Sequence, residues 1–194
     1  GFIKVFSIDG SYDITEVSSI EHDTSAATGN SLIQIDSTHF MLAYSGASIT
    51  GYIKTFSMDG SYALTQIDSE NHGTHYYNSL VKIDATHFML ACAHYSSEDG
   101  FIKTLSIDGS YVIAMIDSLE HETSKGIANS LVMIDSTHFI LAYCGTGSDG
   151  FIRTFSINRS YAISTISTLE HDTEDGWYNS LIKIDDTHYM LAYA

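Results

Sequence analysis

The chain contains no proline, and only two of its 194 residues are cysteine and one is tryptophan. Basic residues are also scarce: 8 Lys and Arg stand against 24 Asp and Glu, a formal net charge of −16. A field of that sign repels phosphate backbones, so nucleic acid is excluded as an expected partner. It equally resists an anionic membrane surface. What it suits is cations, a saline medium or plain solubility. No apolar run reaches 18 residues, so no membrane-spanning helix and no membrane insertion is expected. No secretory leader is visible. Opening at Gly1 in mid-repeat reads as a mature or excised piece, and an extracellular or cell-surface setting is the expectation. Cys92 and Cys144 fall in different repeats and one strand position out of phase, hence on opposite strand faces. No disulfide between them is expected, and two thiols alone make no metal site.

What the chain does have, it has four times. Phe2-Ile3-Lys4-Val5-Phe6-Ser7-Ile8-Asp9 returns at 52–59, 101–108 and 151–158. Asn30-Ser31-Leu32 returns at 78–80, 129–131 and 179–181, and the leucines step by 48, 51 and 50 residues. A period near 50 with strand-like content is the mark of a propeller blade. The reading is one all-β domain, 1–194, made of four repeats (1–50, 51–99, 100–149, 150–194).

Each repeat divides into four alternating or β-branched runs. In the second these are Asn78 to Asp84 (a), Thr86 to Cys92 (b), Tyr52 to Met58 (c) and Tyr62 to Asp68 (d). Asp9-Gly10, Asp59-Gly60 and Asp108-Gly109 sit between c and d and predict type I′ hairpins with positive φ at both central residues. The fourth copy has Asn158-Arg159, and Arg tolerates positive φ poorly, so that turn is expected to differ. The order a-b-c-d, with a Gly-containing b–c link, resembles that of kelch-type and other propeller blades. The resemblance is architectural, because the kelch double-glycine signature is absent. It implies a four-bladed propeller with four antiparallel strands per blade. The chain opens with c and d and ends with a and b. Pairing of these ends would close the ring and remove exposed edges. A monomer is expected on that basis, with an eight-blade ring-pairing dimer as the alternative.

Positions shared by all copies serve the blade. His22, His72, His121 and His171 read as hydrogen-bonded struts between d and a, resembling the His in the equivalent link of WD40 blades. His39, His87, His138 and His188 open strand b behind Asp36, Asp84, Asp135 and Asp185, which are expected to cap amides as Asx-turns. Asn30, Asn78, Asn129 and Asn179 would ring the axial mouth. Their oxygens could hold calcium or another cation, or bond the adjacent backbone.

Positions that differ gather in the d–a and b–c links, which an a-b-c-d blade places on one face. There stand His75, Tyr76, Tyr77, His94, Tyr95, Trp177 and Tyr178, with Glu98, Asp99, Asp149, Glu174 and Asp175 among them. Aromatics beside short polar groups stack on sugar rings or anchor a protein. Tyr77 and Tyr178 have a second reading, as plugs between blades. The function expected is a noncatalytic, lectin-like binding module for a glycan. A protein-interaction or adhesion scaffold is the alternative, and a glycosidase-like hydrolase comes third. Strand a carries no acid before its turn, and nothing in the spacing singles out a carboxylate pair such as Asp149 and Asp175.

Overall fold

The computed structural model describes residues 1–194. Its sixteen strands form five antiparallel sheets. A two-stranded sheet, β1 (Phe2–Ile8) and β2 (Ile14–Glu21), comes first. Three four-stranded blades follow. Blade I is β3 (Thr28–Gln34), β4 (His39–Ser45), β5 (Gly51–Met58) and β6 (Leu64–Gly73). Blade II is β7 (His75–Lys82), β8 (His87–His94), β9 (Gly100–Ile107) and β10 (Ile113–Glu122). Blade III is β11 (Ile127–Met133), β12 (His138–Cys144), β13 (Gly150–Ile157) and β14 (Ile163–Asp172). A second two-stranded sheet, β15 (Ser180–Lys183) and β16 (Tyr189–Ala192), ends the array. The order a-b-c-d holds in every blade. No helix is long and apolar enough to cross a membrane.

Blades stack through the alternate faces of their middle strands. In β8, Phe88, Leu90 and Cys92 point into a cluster shared with Ile35, Met41, Ala43 and Ile53 of blade I. Met89 and Ala91 point the other way, into a cluster with Leu131, Phe139, Leu141 and Phe155 of blade III. Both faces of that strand are therefore core, and period-two alternation divides them between two neighbours.

The inner strands are stapled by the repeated serine. Leu80 N–H donates to Ser31 Oγ at 2.9 Å, Leu131 N–H to Ser79 Oγ at 3.0 Å, and Leu181 N–H to Ser130 Oγ at 2.9 Å. On the rim, a tyrosine of one blade grips the a–b turn of the blade before it. Tyr111 O–H donates to Asp36 Oδ2 at 2.7 Å and its ring stacks on His39 at 3.6 Å. Tyr161 does the same to Asp84 (2.8 Å) and His87 (3.6 Å). The expected Asx-turns are present: Asp36 Oδ1 accepts from the N–H groups of Thr38 and His39, and the other three copies repeat this.

Three expectations are corrected. The ring is not closed: no sheet joins β1–β2 to β15–β16. The inner strands touch in the order β3, β7, β11, β15 without β15 returning to β3. Second, the c–d hairpins are not type I′. The left-handed residues are Tyr12, Tyr62, Tyr111 and Tyr161, at φ 66°, 65°, 62° and 61°, and not the glycines. The Asp side chain organises a five-residue loop: Asp59 Oδ1 accepts from Ser61 N–H and Ala63 N–H. Asn158 substitutes its amide oxygen in the same two bonds, so the fourth turn matches the rest. A Cβ on Gly60 would meet nothing within 4 Å. Gly60→Ala is therefore expected to leave stability unchanged or raise it by about 0.4–1 kcal/mol, checked by urea unfolding; a loss above ~1 kcal/mol would refute this loop geometry. Third, the link histidines brace by packing and not by hydrogen bonds. His22, His121 and His171 lie edge-on to Tyr44, Tyr143 and Tyr193 at 4.6, 4.9 and 4.7 Å. Both ring nitrogens of His121 lack a protein partner. Gly51, Gly100 and Gly150 make room, since a Cβ there would meet the imidazole of His72, His121 or His171 within 2.5 Å.

Candidate functional site

The two variable links share one face. Tyr95 N–H donates to Thr74 O, and Gly126 N–H to Glu98 O, tying b–c links to d–a links. At the inner edge of this face the chain does something in every repeat that its motif did not announce. The residue before the repeated Asn is left-handed: Gly29 (φ 60°), Tyr77 (54°), Ala128 (53°) and Tyr178 (55°). The a–b ladder breaks register there in blades I, II and III. A left-handed residue at such a break is a bulge, and bulges re-aim the next side chain. Three of the four are not glycine, and non-glycine left-handed strain concentrates at sites that use it.

The side chain re-aimed is the asparagine. Gly29, Tyr77, Ala128 and Tyr178 together with Asn30, Asn78, Asn129 and Asn179 line one depression of about 330 Å³. In Asn78, Asn129 and Asn179 the amide Nδ2 reaches back to the left-handed residue of the preceding unit. Asn78 donates to Gly29 O at 3.4 Å, Asn129 to Tyr77 O at 3.3 Å and Asn179 to Ala128 O at 3.1 Å. The backbone-bonding reading of these amides thus holds on their nitrogen side. Their oxygen side is different. Oδ1 of Asn78, Asn129 and Asn179 is buried and has no protein partner. An unmet buried acceptor costs about 1–3 kcal/mol, and these three lie beneath the lining of the depression, closed off from its open space.

The aromatics divide. Tyr178 is 80% exposed and stands at the rim beside the half-buried Trp177 and Asp175 in a second depression of about 370 Å³. Trp177 packs on Ala93, Ile127, Ala128 and Cys144, and the Lys125 ammonium lies 4.5 Å from its ring centroid. Tyr76, Tyr77 and Tyr95 form a second group, with centroids 4.3 Å apart for the first pair and 5.8 Å between Tyr76 and Tyr95. Tyr76 O–H donates to Glu98 at 3.3 Å, and burial beside that carboxylate raises the phenol above its ordinary value. Tyr77 packs half-buried on the same apolar cluster as Trp177, as a plug would, and still lines the depression.

Several expected contributors are engaged elsewhere. His75 is 7% exposed and faces inward, unavailable to a ligand on the face. His94 is turned to Ser97, whose Oγ lies 3.0 Å from its Nδ1. Asp99 accepts from Ser97 Oγ at 2.5 Å, and Asp149 is half-buried in the next b–c link. Neither reaches the amide depression.

No protein-family model matches the chain, and no curated protein matches it. Solved structures do. A protein from Lactobacillus plantarum aligns over 86% of this chain with a TM-score of 0.62 at 12% identity. The periplasmic gluconolactonase PpgL of Pseudomonas aeruginosa aligns over 92%, with a TM-score of 0.59 at 12% identity. The chain spans 50% of the first structure and 66% of the second. At that identity the likeness is one of fold, an all-β array of repeated propeller-type blades.

Proposed function

We propose that the protein is a carbohydrate-binding module whose ligand sits in the amide depression. The observation that supports this is one depression lined by Asn30, Asn78, Asn129 and Asn179 beside Tyr77 and Tyr178. A sugar offers several hydroxyl donors around a ring, with an apolar ring face for an aromatic to cover. Neutral amides suit hydroxyls better than a bare cation, because calcium sites draw their affinity from carboxylates and no carboxylate lines this depression. Binding rather than turnover is favoured on the same ground: the lining offers no carboxylate, imidazole or thiol for proton transfer. Tyr178, Trp177 and Asp175 extend the surface outward, and a protein partner would use the same rim.

A glycan array probed with and without calcium tests the reading. A coherent set of bound glycans is expected, with calcium making no difference. Tyr178→Ala is expected to weaken the best of them about tenfold, the loss of one stacking contact of about 1.4 kcal/mol. A blank array, or binding indifferent to Tyr178, sinks it. The likeness to a gluconolactonase favours one second reading, hydrolysis of a sugar lactone. Opening of an aldonolactone by the pure chain above the spontaneous rate would establish it in place of the first.

A further inference from the structure

The second repeat departs from its siblings in three places that converge on one point. Where the other copies have Tyr44, Tyr143 and Tyr193, it has Cys92. Three residues before the repeated Asn, where the others have Ala27, Gly126 and Gly176, it has His75. Its d–a link is also two residues shorter, with 6 steps from His72 to Asn78 against 8 from His22 to Asn30. The shortened link turns at Gly73, φ +111°, where a Cβ would meet the His75 ring at 2.5 Å.

The result is a buried triad. One ligand atom from each of His72, His75 and Cys92 lies within 4.8 Å of the others, and all three side chains are buried. Nδ1 of His75 has no protein partner; both nitrogens of His72 are also unpartnered, a feature it shares with His121 of blade III. His72 is 5% exposed, so its nitrogens have no access to bulk water. His75 does fill volume that a tyrosine ring fills in the sibling blades, stacking on His72 at 5.4 Å. An apolar side chain would fill it without leaving buried nitrogens unmet, at about 1–3 kcal/mol each. Two ring nitrogens and a thiol are a ligand set, and the lost Tyr and gained His are the changes that create it.

We propose that His72, His75 and Cys92 form a three-coordinate site for a soft monovalent cation, copper(I). Metal–nitrogen bonds of ~2.0 Å and a metal–sulfur bond of ~2.3 Å set donors ~3.5–4 Å apart, so the triad closes by about 1 Å on binding. Thiolate with imidazole is the donor set soft metals prefer. Charge selects among them. The Lys103 ammonium is buried beside the triad, its Nζ donating to His72 O at 2.6 Å. A thiolate neutralises copper(I) fully and leaves only the lysine charge. With zinc(II) a further positive charge would remain, buried next to that lysine. The step balances simply: the Cys92 S–H bond breaks, its proton leaves to solvent, an S–Cu bond forms, and no electron is transferred.

The test is anaerobic transfer from the copper(I)–bicinchoninate complex to the intact chain, followed by its loss of colour. One copper per chain is expected, with a thiolate-to-copper absorption in the near ultraviolet. Cys92→Ser should weaken binding more than ~100-fold and His75→Ala at least ~10-fold, while Cys144→Ser changes nothing. Far-ultraviolet dichroism confirms that each variant is folded. Because the site is buried, the titration is repeated on chain refolded in the presence of copper. No uptake in either format, uptake that survives Cys92→Ser, or zinc(II) bound more tightly than copper(I), overturns the proposal.

Discussion

Taken from pH 7.5 to pH 5, the folded state is expected to lose several kcal/mol of stability, well before its carboxylates begin to titrate. Three link imidazoles drive this. Burial is the first cause in each. It acts with the amino terminus and Lys54 to bring His22 to about 4, with Lys103 and His94 to bring His75 to about 4, and with Arg153 to bring His121 to about 3. In the unfolded chain all three return to 6.5. Between 6.5 and 4 the unfolded state therefore binds more protons, and stability falls as the pH falls. The contribution is whole above 6.5 and amounts to about 2 kcal/mol at pH 5 for the deeply buried His121, from 1.36 kcal/mol per unit, and to less for His22 and His75, which solvent partly screens. His72, held well below its ordinary value by burial and Lys103, shifts in the same sense. Asp84 and Asp135, brought to about 2 by hydrogen bonds that overcome their desolvation, lose their contribution only below pH 4, so the two windows separate. Urea midpoints at the two pH values measure the loss. His121→Leu should flatten the curve by about 2 kcal/mol. Equal midpoints for the parent chain would mean that these imidazoles are solvated.

Phe139→Ala should cost 3–5 kcal/mol, the range for removing a fully buried aromatic. Phe139 is 0% exposed and sits between Met89 and Ile102 of blade II and Leu141 and Phe155 of blade III. Strands stacked on both sides hinder collapse. For a chain of this size the loss corresponds to about 10 °C in Tm. An array of repeats holds together by nearest-neighbour interfaces, so weakening one in the middle separates two halves, not an edge. Phe2→Ala is the internal control. Phe2 is 62% exposed, and its loss should stay within about 0.5 kcal/mol. Scanning calorimetry distinguishes them, and a shift below 3 °C for Phe139→Ala would contradict the stacking described.

Strand content and strand order were legible because alternation and the repeat report them directly. Asn30, Asn78, Asn129 and Asn179 could be placed at the inner mouth for the same reason. Ring closure was not legible. It depends on how stacked blades are oriented to one another, which no short motif encodes. The loop type was misread because Asp-Gly has two uses. Here the aspartate acts through its side chain, and Arg159 in the glycine position was the clue. The left-handed residues of the depression were the hardest to see. Gly29 hints at them, but Tyr77, Ala128 and Tyr178 carry no backbone signature. His75 looked like a surface ligand because its link is variable, and it is the shortening of that link which turns it inward.

The rim grip between neighbouring blades has a direction. Tyr111 and Tyr161 each reach backward to the aspartate of the preceding unit, and the amides of Asn129 and Asn179 reach backward as well. These phenol and amide donors share one flank of their blades and the aspartates that meet the phenols share the other, although Thr55 and Thr104 donate the opposite way, to Tyr111 O and Tyr161 O. Two flanks of the same kind brought together would set phenol against phenol, or carboxylate against carboxylate in a molecule already at −16. The array is thus polar, like a zipper that runs one way, and growth by like-facing flanks is discouraged at each joint independently of its apolar core.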